Sequence, residues 1–205
     1  MVDAVKFWDR HAPGYAKRPV ADEAAYQKKL ELTREHFRSD SRVLELGCGT
    51  GTTAVAHAPY AGHILATDLS PGMLDIARKK AADAGCSNVE FRVATVESFV
   101  EPEGSFDVVM THSLLHLLED KEAALNKIHG LLKPGGVFVS STMCLGEKHK
   151  WFKWVGPIGK ALGLIPVVKV FTASELTESI RSAGFTVETE WQPSPKQALF
   201  VIARK

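Results

Sequence analysis

The chain has 205 residues, 45% hydrophobic and 24% charged, a balance that suits one packed core and excludes bulk disorder. Lys and Arg number 25 against 24 Asp and Glu, a net charge of +1, so no general attraction to nucleic acid or an anionic membrane is expected. Three scattered cysteines, Cys48, Cys86 and Cys144, form no CxxC pair and argue against a disulfide frame or a zinc site.

Residues 1–38 open the chain with aromatics (Phe7, Trp8, Tyr15, Tyr26) among charges, and Ala21–Arg38 has apolar residues at helical spacing. The start carries no basic leader with an apolar core, which predicts a cytoplasmic protein. Arg42–Leu46 reads as a strand, Gly47–Gly51 as a sharp turn and Thr52–Ala58 as a helix. His63–Asp68 is a second strand, followed by Ser70-Pro71, a good N-cap and first helical residue, and by a helix that stops near Gly85. Val89–Val93 and Phe106–Thr111 are the third and fourth strands, the latter nearly all apolar, as a strand covered on both faces must be. Lys121–Leu132 is a helix closed by Lys133-Pro134-Gly135-Gly136, and Val137–Thr142 is the fifth strand. The segment 144–171 is rich in Trp151, Phe152, Trp154, Ile158, Leu162 and Leu164 among lysines. Its longest apolar stretch is broken by Gly156, Pro157 and Pro166, short of the roughly 20 apolar residues a membrane-spanning helix needs. Ser174–Ala183 is a helix stopped by Gly184, and Phe185–Trp191 and Ala198–Arg204 are two closing strands.

Strand alternating with helix from 42 to 142 predicts a doubly wound α/β fold on a mostly parallel sheet. The last two strands pair antiparallel at one edge and complete a seven-stranded sheet in a single domain, 1–205.

Glu45-Leu46-Gly47-Cys48-Gly49-Thr50-Gly51 follows a strand and opens a helix, and its alternate glycines let backbone turn sharply and approach a ligand. Asp68 ends the next strand 17 residues after Gly51, where a carboxylate accepts hydrogen bonds from ribose hydroxyls. Together they point to a nucleoside. Thr52 stands where a dinucleotide fingerprint needs its last glycine, which disfavours an NAD-type oxidoreductase.

The pattern acid-x-G-x-G-x-G with Asp68 resembles the first two motifs of the class I S-adenosylmethionine-dependent methyltransferases. Leu-Ser-Pro-Gly-Met after Asp68, Phe-Asp-Val-Val in strand four and Leu-Lys-Pro-Gly-Gly before strand five extend the resemblance over most of the chain. The ending Phe-Thr-Ala-Ser-Glu-Leu…Ala-Gly-Phe (171–185) is similar to bacterial small-molecule members grouped with ubiquinone-biosynthesis methyltransferases. The resemblance implies a Rossmann-like methyltransferase fold with S-adenosyl-L-methionine as cofactor. Glu45, Gly47, Gly49 and Gly51 would line its methionine side, Asp68 its ribose, and Leu69 and Met73 its adenine. The family's acidic residue after strand three is missing, so Thr95 and the Val96 backbone are the substitutes for the adenine edge. Thr111 and His112 would border the methionine portion, and Tyr15 would belong to a helical lid, 1–38, over the cofactor.

Candidate bases for an acceptor proton are His112, His116 and His149, with His116 ahead of His112. His112 and His116, four apart, would share one face of a helical turn, without the third ligand a metal needs. Asn/Asp-Pro-Pro-aromatic, frequent in enzymes that methylate DNA bases or glutamine amides, is replaced by Thr111-His112-Ser113-Leu114. The expected partner is therefore a small, hydrophobic or aromatic acceptor and not nucleic acid. Segment 144–171 reads as an apolar cap over that pocket, with a membrane-surface contact or a dimer contact as the other uses of such a pattern. A cofactor-binding protein without catalysis remains the alternative from another class, and the sequence sets no oligomeric state.

Overall fold

In a computed structural model, residues 4–146, 168–194 and 197–205 are described. The helices are α1 (Ala4–Ala16), α2 (Glu23–Arg34), α3 (Thr52–His57), α4 (Pro71–Asp83), α5 (Lys121–Leu131) and α6 (Ala173–Ser182). The strands are β1 (Arg42–Leu46), β2 (His63–Asp68), β3 (Val89–Val93), β4 (Phe106–His112), β5 (Leu132–Thr142), β6 (Thr186–Trp191) and β7 (Leu199–Arg204). They form one sheet in the order β3-β2-β1-β4-β5-β7-β6, parallel through β5 and antiparallel where β7 joins β5 and β6. The order reverses between β1 and β4, and the carboxyl ends of those strands are where an open α/β sheet leaves a crevice for ligands.

Both faces of the sheet are covered. Leu44, Leu65, Val109 and Phe138 pack under Leu125 and Ile128 of α5 and Leu176 and Ile180 of α6. Val43, Ile64, Val108, Met110 and Val139 pack under Ala54 of α3, Leu74 of α4 and Leu32 of α2. Helix starts follow the capping chemistry: Ser70 accepts from the Met73 amide with Pro71 next to it, Asp120 accepts from Ala123, and Thr172 with Glu175 forms a capping box. Among the described residues no helix is long and apolar enough to cross a membrane.

Two boundaries differ from expectation. The opening segment folds as two helices, α1 and α2, joined by an exposed connection. Strand β5 starts at Leu132, before the Pro-Gly-Gly, because Leu132 already pairs with Phe106 and the register shifts before Val108. Most of the expected cap, with Trp151, Trp154 and His149, lies outside the described residues.

At the opposite end of the sheet from the crevice, Asp107 accepts from the Arg42 amide (2.8 Å), Lys133 Nζ (2.8 Å) and Arg38 Nη2 (3.1 Å). Burial pushes its carboxyl up, but these donors outweigh it and hold the group below its ordinary range. Asp107→Ala is expected to lower stability by about 0.5–1.5 kcal/mol in urea unfolding at pH 7, the scale of hydrogen bonds lost from part-exposed donors. A depressed carboxylate contributes above its unfolded pKa and stops contributing as pH falls through its folded value, so the difference should shrink in acid.

Candidate active site

The glycine loop leaves β1 at Gly47, and Gly47, Gly49 and Gly51 all have positive φ (68°, 53° and 71°). Their surroundings divide them. A Cβ on Gly51 would lie 2.7 Å from Ala77 Cβ and 3.1 Å from the Phe91 ring, so Gly51 admits close packing of α3 on α4 and faces away from any ligand. A Cβ on Gly47 would meet the Leu114 side chain at 2.7 Å. Above Gly49 the nearest atom is Cε1 of Tyr15 at 3.8 Å, so this glycine alone of the three presents open backbone, with the tyrosine of α1 over it.

Beside the loop lies a cavity of about 890 Å³, walled by the ends of β1, β4 and β5 on one side and by α2 on the other. Glu45, Gly47, Gly49, Tyr15 and His112 line it, as do Lys29, His57, Ser113 and Ser141. Glu45 is 1% exposed and its Oε2 has no partner. Burial, and secondarily the Asp68 charge, push its carboxyl up to about 8. A buried, unpartnered carboxyl beside open backbone is a ready receptor for an ammonium group.

Asp68 is oriented rather than free. Its Oδ2 accepts from the Gly49 amide and its Oδ1 from the Ser70 amide, both at 2.9 Å, tying the glycine loop to the start of α4. Burial raises its pKa, against those same hydrogen bonds. Asp9 of α1 accepts from Ser70 Oγ (2.5 Å) and the Gly72 amide (2.9 Å), docking α1 next to it. Leu69 is half-buried and Met73 is buried. Thr95 exchanges hydrogen bonds with Ser98 in a turn, and Val96 packs into the core beside Phe99. None of Asp68, Leu69, Met73, Thr95 and Val96 walls the cavity, which belongs to the other end of the crevice.

The histidines part company. His112 ends β4, and Ser113 comes next with φ 54°, the one non-glycine among the described residues with positive φ. His116 sits in a 3-10 turn, Leu115–Leu117, so the expected shared helical face does not form: a strand end and a strained serine intervene. His112 walls the cavity with Nε2 unpartnered, whereas His116 does not. Burial lowers both to about 4, helped at His112 by the Lys29 charge. Thr111 is buried with its hydroxyl unpartnered.

Sequence reasoning missed His57 and Lys29. His57, at the end of α3, is fully buried with both ring nitrogens unpartnered, and burial, then His112 and Arg34, lower it to about 3. Lys29 donates to Ser141 Oγ at 2.9 Å, and burial lowers its pKa. Neither carries a motif, and only the packing of α2 and α3 on the sheet brings them to β4 and β5.

Residues 43–136 match the methyltransferase domain family. The uncharacterized methyltransferase YcgJ of Bacillus subtilis is 33% identical over 110 residues, 54% of this chain and 44% of that protein, so the match spans less than half its length. The ubiquinone biosynthesis O-methyltransferase of Acinetobacter baylyi is 27% identical over 196 residues, 90% of this chain and 79% of that protein. The crystal structure of YcgJ superimposes with a TM-score of 0.68 at 25% identity, covering 80% of this chain and 72% of that one. The [4+2]-cyclase SpnF gives 0.79 at 19% identity, covering 98% and 94%, a likeness of fold alone. The chain is therefore similar to methyltransferases across its sheet, and the acid and open glycine at the carboxyl end of β1 stand inside the matched region.

Proposed function

We propose that this protein transfers a methyl group from S-adenosyl-L-methionine to a small-molecule acceptor seated in the cavity beside His112. The observation that carries the reading is Glu45: a buried carboxyl with a free Oε2 next to the open backbone of Gly49 suits the α-ammonium of an amino-acid moiety. Gly47 and Gly49 offer backbone to the same moiety. Asp68, already aimed by Gly49 and Ser70, has lone pairs left for ribose hydroxyls, and Leu69, Met73, Thr95 and Val96 border the place of the adenine. The bound cofactor supplies a methyl already activated by its sulfonium.

The protein contributes alignment and exclusion of water, which together account for roughly 7–11 kcal/mol in well-oriented reactions. Tyr15 and α1, within the 1–38 segment, cover the loop as a lid. Thr111 and His112 border the reacting end. His112 stands ahead of His116 as proton acceptor, because it walls the cavity and His116 does not, while burial keeps both neutral at pH 7. The reading places one domain, 1–205, in the cytoplasm, acting on a small molecule and not on nucleic acid.

Calorimetry tests the cofactor: S-adenosylhomocysteine should bind and NAD should not. Labelled methyl transfer across a panel of small acceptors then separates an enzyme from a silent binder. Asp68→Ala is expected to weaken S-adenosylhomocysteine binding by about 1–3 kcal/mol in a protein whose circular dichroism is unchanged. An affinity equal to wild type would take Asp68 out of the site.

A further inference from the structure

We propose that the acceptor is an acid, whose carboxylate or equivalent oxyanion is held by Lys29 together with Ser141, across His112 from the glycine loop. The inference rests on the methyltransferase function proposed for this cavity and adds to it the chemical class of the second substrate.

Lys29 is not a loose surface lysine. Its helix is fixed at several points: Asp22 accepts from Gln197 Nε2 (2.6 Å), Lys28 lies 4.4 Å from the Trp191 ring centroid, and Arg34 donates to the Ala56 carbonyl (2.9 Å). From that helix the ammonium reaches the end of β5 and spends one donor on Ser141 Oγ. An ammonium has three donors, and half-buried charge is costly unless compensated. Among the described residues Lys29 makes no ion pair. Asp22 is the acid whose field reaches it, and the Asp22 oxygens are taken by the Ala25 amide and by Gln197.

The cavity therefore has two poles. Glu45 on β1 is suited to a cation, Lys29 at Ser141 on β5 to an anion, and His112 on β4 stands between them, in register with Ser141. Strands lie about 4.8 Å apart, so β1 and β5 are separated by about 10 Å. In the cofactor pose proposed above, the ammonium sits at Glu45 and the carboxylate on the backbone of the Gly47–Gly49 turn, both on the β1 side of the cavity. An amino-acid moiety anchored at Glu45 leaves Lys29 without a partner, and the remaining molecule in the cavity is the acceptor. His112, on the strand between the poles, lines the stretch where the acceptor and the cofactor meet.

The test is calorimetry on the S-adenosylhomocysteine-loaded protein with acetate, benzoate, phenylacetate and decanoate, each beside its own primary amide. At least one acid should bind tenfold or more tightly than its amide. Lys29→Met should reduce that preference to within twofold while S-adenosylhomocysteine affinity stays within twofold of wild type. Lys29→Gln, which keeps a donor to Ser141 without the charge, should behave the same and serves if the Met variant unfolds. No acid preferred in wild type, or a preference that survives in the variants, overturns the proposal. So does loss of S-adenosylhomocysteine binding in the variants, which would assign Lys29 to the cofactor's own carboxylate. Wild type that binds no S-adenosylhomocysteine would remove the methyltransferase reading itself, a separate and earlier failure.

Discussion

Gly49→Val is expected to abolish S-adenosylhomocysteine binding in a protein that still folds, whereas Gly51→Ala is expected to damage the fold first. Both residues have positive φ, 53° and 71°, so any side chain costs about 1–2 kcal/mol of backbone strain. Their neighbours then separate the two substitutions. At Gly49 the nearest atom to a new Cβ is the Tyr15 ring at 3.8 Å, an ordinary contact, and the added bulk rises into the space where the backbone would meet the cofactor. At Gly51 the new Cβ meets Ala77 Cβ at 2.7 Å and its Cα at 3.3 Å, which forces α4 away from α3 and adds about 1–3 kcal/mol of overpacking. For a chain of this length each kcal/mol lowers Tm by about 2–4 °C. Thermal unfolding should therefore show a loss of a few degrees for Gly49→Val and clearly more for Gly51→Ala. Calorimetry should show more than a hundredfold weaker binding for Gly49→Val, and near-normal binding by whatever fraction of Gly51→Ala is folded. The opposite pairing of effects would mean that the loop faces the ligand through Gly51.

This contrast also shows how far the sequence was legible. Parallel strands buried on both faces read as apolar runs, so β1, β2 and β4 are legible in Arg42–Thr142, whereas the reversal between β1 and β4 emerges only in the folded sheet. Asp68 and the glycines announce themselves by position after strands. The three glycines are equivalent as letters, however, and become distinct only once Ala77, Leu114 and Tyr15 are packed around them. His112 and His116 illustrate the same limit: a spacing of four suggests one helical face, but the β4 ladder extends through His112 to pair with Ser141, and the geometry is lost. Lys29 and His57 carry no local signal, because a lysine and a histidine on amphipathic helices are indistinguishable from solvated or packed residues until the helix is docked. Tertiary packing selects the members of this cavity, and sequence periodicity names only its frame.

The second large effect should come from Glu45→Gln, with opposite signs for stability and for binding. In the ligand-free protein the carboxyl is pushed from an ordinary 4.5 up to about 8, so at pH 7 it is protonated when folded and ionised when unfolded. Its folded pKa is the raised one. Stability is therefore fully present below about 4.5 and falls by roughly 1.4 kcal/mol per pH unit as pH rises toward 8, which is about 3 kcal/mol by pH 7. A glutamine does not titrate. Ligand-free Glu45→Gln should thus match wild type near pH 4.5 and exceed it by several degrees in Tm at pH 8, the common exchange of function for stability at a strained site. An ammonium brought to Oε2 favours the ionised form, so cofactor uptake expels a proton. Wild-type affinity for S-adenosylhomocysteine should climb between pH 5.5 and 8, flattening near the ligand-free pKa, and calorimetry at pH 7 in buffers of different ionisation enthalpy should register close to one proton released. In Glu45→Gln the affinity should be at least tenfold weaker, with no proton release. A wild-type affinity independent of pH over that range would mean that Glu45 keeps its proton in the complex and that the ammonium is held elsewhere.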